Sequence, residues 1–230
     1  PPAPSEEDLR DLARVRESLR RDTVAVQHQL LKFLLRHGRV FAHGTHWTDR
    51  HVRWLRQQQF EGGNARATFE EYLAQWDYLR QRKEAVEAKL IGTAVVEPYA
   101  ATVRRLCCLR GFETLRAMLL LAEVTDFRRF PEPDSMAGFL GLVPGKDASA
   151  GRDPRQPITK AGNSRARRVM VEAAWAYVSR PSLTGRLKPR LEGQPPEVVE
   201  LSWNSQRRLH GRYEYLRSQG NVQARFMQCA

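Results

Sequence analysis

Two long stretches of helical periodicity dominate the first 98 residues. Between residues 5 and 37, apolar side chains recur mostly at steps of three and four, with no proline or glycine among them. Residues 69–91 have the same period. This spacing predicts two long amphipathic helices, and Ser5-Glu6-Glu7-Asp8 predicts a capping box that starts the first one. Two such helices favour an antiparallel coiled-coil hairpin.

The connection between these helices contains four glycines and a short helix that we predict to open at Thr48. Trp47 and Val52 occupy the two positions of a hydrophobic staple around that cap. Because no cysteine and no cluster of carboxylates accompanies them, we interpret the nearby histidines as part of a polar loop rather than as a metal site. These histidines are His43, His46 and His51.

From residue 99 onward the periodic segments are shorter and are separated by prolines and glycines. We therefore predict a mainly α chain with a helical hairpin domain at 1–98 and a compact helical domain at 99–230. The second domain is expected to contain helices over residues 99–109, 114–123, 134–140, 163–178 and 195–218. Between them, residues 141–159 form the longest irregular stretch, and long loops inside compact domains are often functional.

Positive charge is concentrated in the second part of the chain. Residues 101–230 hold 22 basic and 12 acidic side chains, net +10, whereas residues 1–100 are net +2. Only six of the 38 basic residues are lysines, and the planar fork of arginine suits bidentate contact with phosphate. This balance favours nucleic acid as a partner, although an arginine-rich genome would produce the same bias.

Composition also excludes several classes of protein. No apolar run approaches the ~20 residues that a membrane-spanning helix needs. The three cysteines provide neither a disulfide framework nor the spacing of a zinc site. We expect a cytoplasmic protein with no membrane partner.

The segment Leu109-Arg110-Gly111-Phe112-Glu113-Thr114 lies between two predicted helices and is similar to a weakened helix-hairpin-helix turn. In such a turn, a glycine lets the backbone approach a phosphate at a helix N-terminus. The second glycine of that motif is absent. The residues alone leave open whether Arg110 and Gly111 contact a phosphate or simply connect two helices.

The irregular stretch and the helix after it carry one serine near many cations. Ser149 lies in a Gly- and Pro-rich loop, where its hydroxyl is either a turn element or a nucleophile with positive groups nearby to stabilise charge on phosphorus. The arginines of the following helix are either phosphate ligands or a solvated face. The candidate nucleic-acid-binding residues of this region are Lys146, Arg152, Arg155, Lys160, Asn163, Arg165, Arg167 and Arg168.

Several segments together resemble one known family, the IS one-ten insertion-sequence transposases, also described as bridge-RNA-guided DEDD recombinases. Trp47-Thr48 with Trp54-Leu55 resembles the coiled-coil insertion of that family. The segments that resemble its C-terminal transposase domain are Leu109-Arg110-Gly111, Leu121-Ala122-Glu123-Val124, Asp126-Phe127-Arg128-Arg129-Phe130, Phe139-Leu140-Gly141-Leu142-Val143-Pro144, Ser149 with Gly151, Ile158-Thr159-Lys160-Ala161-Gly162-Asn163 and Val171-Glu172-Ala173-Ala174-Trp175.

The resemblance implies a DNA transposase or recombinase that cleaves and rejoins DNA. Ser149 stands at the position of the family's serine nucleophile, which makes it the expected catalytic residue. DNA, a guide (bridge) RNA and further copies of the chain, joined through the coiled coil, are the implied partners.

Family members begin with a RuvC-like domain whose Asp and Glu residues hold Mg²⁺. The resemblance therefore implies that this chain is a fragment without that domain, that it holds no metal itself and that it is inactive alone. Ala148 and Ala150 stand where Ser and Gly are usual in the family. A non-catalytic nucleic-acid-binding or dimerisation module is accordingly the alternative.

Overall fold

The structure is a computed structural model that describes residues 3–143 and 158–220. Over these ranges the chain forms α-helices and three short 3₁₀ turns without a strand, so the prediction of a mainly α fold is confirmed. The helices are α1 (Pro4–Arg36), α2 (Asp49–Arg56), α3 (Gly63–Thr93), α4 (Ala100–Cys107), α5 (Thr114–Val124), α6 (Pro133–Leu140), α7 (Ser164–Ala174), α8 (Lys188–Leu191) and α9 (Pro196–Ser218). The 3₁₀ turns are Phe127–Arg129, Trp175–Val178 and Gly185–Leu187. Within the described ranges, no helix combines the length and the apolar character that a membrane span requires.

The start of α1 differs from the predicted capping box. The helix begins at Pro4, and the backbone N–H of Ala3 donates to Glu6 Oε2 at 2.8 Å. Proline fits the first helical position because it has no N–H to leave unpaired and its φ is already helical. Ser5 consequently lies inside the first turn, and the predicted box was displaced by two residues.

The chain divides into two compact units, one of Arg14–Ala88 and one of Pro1–Ala13 with Lys89–Ala230. In the first unit, Arg16 pairs with Glu87 at 2.8 Å, and the ring of Phe33 lies 6.4 Å from that of Phe69. These two levels of contact show that α1 and α3 run antiparallel within this unit. The coiled-coil character of the pair and its self-association stay predictions.

The connection between α1 and α3 contains α2, whose N-cap is Thr48 as predicted. The Thr48 hydroxyl oxygen accepts the backbone N–H of His51 at 3.3 Å. Side chains from all three helices then form one apolar cluster, so α2 is part of a structured tip. The buried members of the cluster are Leu30, Phe33, Leu34, Leu55 and Phe69.

His51 is fully buried at this tip. The backbone N–H of Trp47 donates to His51 Nδ1 at 3.0 Å, which places the imidazole proton on Nε2. The rings of His46, Phe41 and Trp54 surround the imidazole at centroid distances of 4.8, 4.9 and 5.7 Å. Burial, followed by the charge of His46, lowers the pKa of His51 from 6.5 to about 4. His51 is therefore a neutral core residue at pH 7.

We expect acid to destabilise the unit Arg14–Ala88 through His51. The unfolded chain takes up a proton near pH 6.5, whereas the folded chain resists protonation until about pH 4. The contribution of neutral His51 to the free energy of unfolding is thus fully present above pH 6.5. It is lost as the pH falls from 6.5 towards 4, by up to about 3 kcal/mol. Urea unfolding followed by tryptophan fluorescence at several pH values measures the loss.

His51→Gln keeps an acceptor for the Trp47 N–H but does not titrate, so this variant should show a flatter dependence of unfolding free energy on pH. His28 lies exposed on α1, and His28→Gln should retain the full dependence. The explanation is wrong if His51→Gln loses as much stability on acidification as the unchanged protein does.

In the second unit, α5 is the most buried helix, with Met118, Leu120 and Val124 among its core side chains. It packs against both α4 and α7. The buried Ser202 hydroxyl of α9 donates to the carbonyl of Cys108 at 2.6 Å and joins the last helix to this core. The position of α7, which carries the predicted binding residues Arg165, Arg167 and Arg168, is thereby fixed by α5.

Candidate functional site

The predicted nucleophile lies between two described segments. Ser149, Lys146, Arg152 and Arg155 all fall within residues 144–157, outside the described residues. The flanking residues 139–143 and 158–163 are described, and together they form what we call the loop base. The geometry of the candidate site is therefore the geometry of this base and of α7, which follows it.

Backbone hydrogen bonds join the two sides of the loop base. They run from Thr159 N to Val143 O at 2.9 Å, from Lys160 N to Gly141 O at 3.1 Å and from Asn163 N to Phe139 O at 2.8 Å. Because these bonds pair residues on opposite sides of the irregular stretch, they hold its two ends next to each other. The base is a closed frame.

Two glycines allow the sides of the frame to come this close. A Cβ atom on Gly162 would lie 2.5 Å from the carbonyl oxygen of Phe139. Gly141 has φ +66°, and its Cβ would lie 2.9 Å from the carbonyl carbon of Lys160. Any other residue at either position would meet backbone atoms, so both glycines have a steric role.

Arg167 braces the same frame from α7. One of its guanidinium nitrogens donates to Leu140 O at 2.7 Å and to Lys160 O at 3.2 Å, which lie on opposite sides of the base. The structure thus gives Arg167 a supporting role within the protein. Its contact with nucleic acid stays a prediction, and the N–H groups that do not take part in the brace would have to make it.

Asn163 connects the frame to both α7 and α5. Its Oδ1 accepts the backbone N–H groups of Arg165 at 3.1 Å and Ala166 at 3.0 Å, which makes it the N-cap of α7. Its Nδ2 donates to Glu123 Oε2 on α5 at 2.7 Å, where Glu123 is 4% exposed. Glu123 was not among the predicted site residues, although a single carboxylate inside the apolar run of α5 indicates a group that needs a partner.

The remaining cations near the frame differ in their surroundings. Lys160 in the loop base and Arg165 in the first turn of α7 are both exposed. Arg168 lies 3.5 Å from Glu172, one helical turn further along α7. Lys160 and Arg165 are therefore the described positive groups best placed to meet a ligand at the loop base.

Arg110 and Gly111 lie together in the turn between α4 and α5. Gly111 has φ +90°, and a Cβ atom there would lie 2.3 Å from the carbonyl oxygen of Ala173. Arg110 donates to Arg180 O at 2.6 Å and to Gln206 Oε1 at 3.3 Å. Gly111 thus allows the backbone of the turn to approach the backbone of α7 closely.

The turn and the loop base contact opposite ends of α7. Asn163 caps the helix, whereas Ala173 lies ten residues further on, which corresponds to about 15 Å at 1.5 Å per residue. The predicted binding residues therefore fall into two groups, and one phosphate group cannot touch both.

Three buried side chains of the second unit that could in principle act as nucleophiles are protected from ionisation. Burial raises the pKa values of the Cys107 and Cys108 thiols, and it raises the pKa of the Tyr177 hydroxyl to about 12. All three groups are protonated at neutral pH and lie buried in the core. None of them is an accessible nucleophile for a phosphodiester.

Residues 3–143 and 158–220 do not bring together three or more His, Cys, Asp or Glu side chains that could hold a metal ion. The Mg²⁺ ion that the sequence resemblance implies is assigned to a RuvC-like domain and stays a prediction.

Residues 103–187, which include α5, the loop base and α7, match the model of the transposase IS116/IS110/IS902 family. The class is therefore that of the DNA transposases of insertion sequences. Within that class, residues 103–187 match the IS110 family, in agreement with the sequence resemblance.

Three relatives extend this match over nearly the whole chain. A putative transposase (y4qE) of Sinorhizobium fredii (strain NBRC 101917 / NGR234) is 36% identical over 219 residues, which are 95% of this chain and 53% of the relative. The transposase for insertion sequence element IS1533 of Leptospira borgpetersenii is 31% identical over 221 residues, 94% of this chain and 63% of the relative.

The transposase for insertion sequence element IS1328 of Yersinia enterocolitica is 26% identical over 184 residues, which are 80% of this chain and 54% of the relative. The chain thus spans between 53% and 63% of the lengths of these three relatives.

Proposed function

We propose that this chain is part of a DNA transposase or recombinase that binds nucleic acid and cleaves and rejoins DNA through Ser149. The observation that carries the proposal is the closed loop base. The described residues on either side of the segment that contains Ser149 are hydrogen-bonded together and braced by Arg167. Rigid support of this kind is what a reacting group on a loop requires.

The proposed reaction exchanges one phosphoester for another. The Ser149 hydroxyl loses its proton, a bond forms between Oγ and phosphorus, and the bond from phosphorus to one strand end breaks. The released strand oxygen takes up a proton. Because the number of phosphoester bonds is unchanged, attack of a strand hydroxyl on the phosphoserine reverses the step and rejoins the DNA.

Charge at the loop base supports this assignment. A serine hydroxyl is a weak nucleophile at neutral pH, and negative charge grows on the phosphoryl oxygens as it attacks. The exposed Lys160 in the base and the exposed Arg165 in the first turn of α7 are positive groups available for that charge. Lys146, Arg152 and Arg155, which lie outside the described residues, are proposed to add to them. The Mg²⁺-binding RuvC-like domain, the guide RNA and self-association through α1 and α3 belong to the same proposal for the whole protein.

The binding part of the proposal predicts that a cation at the loop base contributes to DNA affinity, whereas an equivalent cation in the other unit does not. Arg165 and Arg82 are both exposed and have no side-chain partner among the described residues. Arg165→Gln should lower the slope of log K against log salt by about 0.9 on duplex DNA, the value for one lost phosphate contact. Fluorescence anisotropy with a labelled duplex at several salt concentrations measures the slope.

Arg82→Gln on α3 removes the same charge and is the matched control, expected to leave the slope unchanged. If both variants lower the slope equally, binding is a property of net charge and the loop base is not the interface. If binding is as proposed but no covalent step occurs, the chain is the non-catalytic binding module.

A further inference from the structure

A second cationic site lies in a cavity of about 500 Å³ formed by the α4–α5 turn, the turn Gly185–Leu187 and α8. None of the loop-base residues lines it. The polar side chains of its wall are Arg110, Arg116, Ser182, Thr184, Arg186 and Arg190, and Glu113 is the single carboxylate of this wall. Four guanidinium groups thus share one concave surface with one carboxylate.

Three of these arginines are held in place by backbone carbonyls. Arg116 donates to Gly111 O, Arg190 donates to Phe112 O at 2.7 Å and Arg110 donates to Arg180 O at 2.6 Å. Each guanidinium has five N–H groups in a fixed planar arrangement. Anchoring through one nitrogen orients the group and leaves N–H donors for a ligand, so little side-chain entropy is lost on binding.

The positive charge of the cavity is only partly neutralised. Glu113 pairs with Arg190 at 3.4 Å, but its side chain is 62% exposed, which weakens the pair through solvent screening. Arg186 is exposed and has no hydrogen-bond or ion-pair partner among the described residues. Clefts lined by one sign of charge concentrate ions of the opposite sign, so this cavity attracts anions.

A buried amide fixes the wall that carries the hydroxyl groups. Gln206, 1% exposed, accepts the backbone N–H of Ser182 at 3.0 Å and also contacts Arg110 at 3.3 Å. The hydroxyls of Ser182 and Thr184 lie 2.6 Å apart beside them. The cavity therefore presents guanidinium and hydroxyl donors on a preformed scaffold.

We propose that this cavity binds a phosphodiester group of a nucleic-acid strand. A phosphate has acceptor oxygens that match the forked donors of arginine and the hydroxyl donors beside them. The inference rests on the proposed function for the source of the phosphate. Since the turn and the loop base contact opposite ends of α7, this phosphate is a different one from the phosphate at the loop base, and the two contacts fix the direction of one strand along α7.

The test compares Arg186→Ala with Arg104→Ala in the full 230-residue chain. Both arginines are exposed and lack side-chain partners among the described residues, but Arg104 lies on α4 outside the cavity. Binding of a labelled DNA duplex and of a labelled single-stranded RNA is measured between about 50 and 200 mM salt. Arg186→Ala should weaken binding about fivefold to tenfold and lower the salt slope by about 0.9 for the duplex or 0.7 for the single strand.

Arg104→Ala should change neither value beyond about twofold. A slope change of Arg186→Ala with DNA alone assigns the cavity to the DNA strand, a change with RNA alone assigns it to the guide, and a change with both assigns it to either backbone. Arg186→Lys should keep the salt slope, because the charge remains. It should still bind nucleic acid more weakly, because lysine lacks the planar fork that contacts a phosphate with two N–H groups.

Equal behaviour of Arg186→Ala and Arg104→Ala on both probes overturns the proposal. This failure is distinct from failure of the proposed function, whose binding part is read from Arg165→Gln at the other end of α7 and whose chemistry is read from a covalent adduct of Ser149. If Arg186→Ala weakens binding but no adduct forms, the proposal for the cavity stands and the nucleophilic role of Ser149 is rejected.

Discussion

Replacing Ser149 with alanine is expected to abolish covalent attachment of DNA to this protein while leaving nucleic-acid binding nearly intact. The reaction mixture contains the chain, a metal-binding RuvC-like domain with Mg²⁺, guide RNA and target DNA. The unchanged protein should then form an adduct that survives denaturing electrophoresis. Loss of the only oxygen that forms the bond to phosphorus should reduce the adduct at least about a thousandfold.

Ser164 provides a matched control, because it is an exposed serine at the start of α7 and directly follows the last residue of the loop base. Ser164→Ala should form the adduct at the normal rate. An undiminished adduct in Ser149→Ala would remove Ser149 from the mechanism. If even the unchanged protein forms no adduct under these conditions, the substituted loop with Ala148 and Ala150 belongs to a binding module.

Gly111→Ala should be among the most destabilising single substitutions in the second unit. The added methyl carbon would lie 2.3 Å from the Ala173 carbonyl oxygen, and the φ of +90° is strained for any residue with a Cβ. Displacing α7 from the turn would disturb the α5–α7 packing as well. We expect a loss of about 3 kcal/mol or more in unfolding free energy, measured by urea denaturation with circular dichroism.

Gly193→Ala separates the two causes of this loss. Gly193 also has a positive φ, +72°, but nothing lies within 4 Å of its Cβ position. Its replacement should therefore cost only the backbone strain, about 1 kcal/mol. If Gly111→Ala is no more destabilising than Gly193→Ala, the close contact with Ala173 does not contribute to stability.

Local patterns in the sequence were sufficient to predict most helices. Apolar spacing indicated α1 and α3, and the Thr48 cap of α2 is confirmed, because period and capping depend on residues within one or two turns. The start of α3 at Gly63, six residues before the periodic segment, was missed because its first turns are polar and exposed.

Contacts between distant residues were beyond the reach of such patterns. The brace from Arg167 to Leu140 spans 27 residues, and the pair of Asn163 and Glu123 spans 40. Composition could identify these side chains as polar groups near a candidate loop, but not their partners. The same holds for the arginine cavity, whose members come from three separate segments. The nucleophilic role of Ser149 was indicated by family resemblance and stays a prediction.

The way in which α1 and α3 cross the boundary between the two units has a consequence for how such proteins change length during evolution. The chain leaves one unit at residues 13 and 14 inside α1 and returns at residues 88 and 89 inside α3. Since Arg16 faces Glu87, a lengthening of α1 shifts every later pairing unless α3 grows by the same amount. Insertions should therefore occur in both helices together, in steps of about seven residues, because two helical turns return a side chain to the same face.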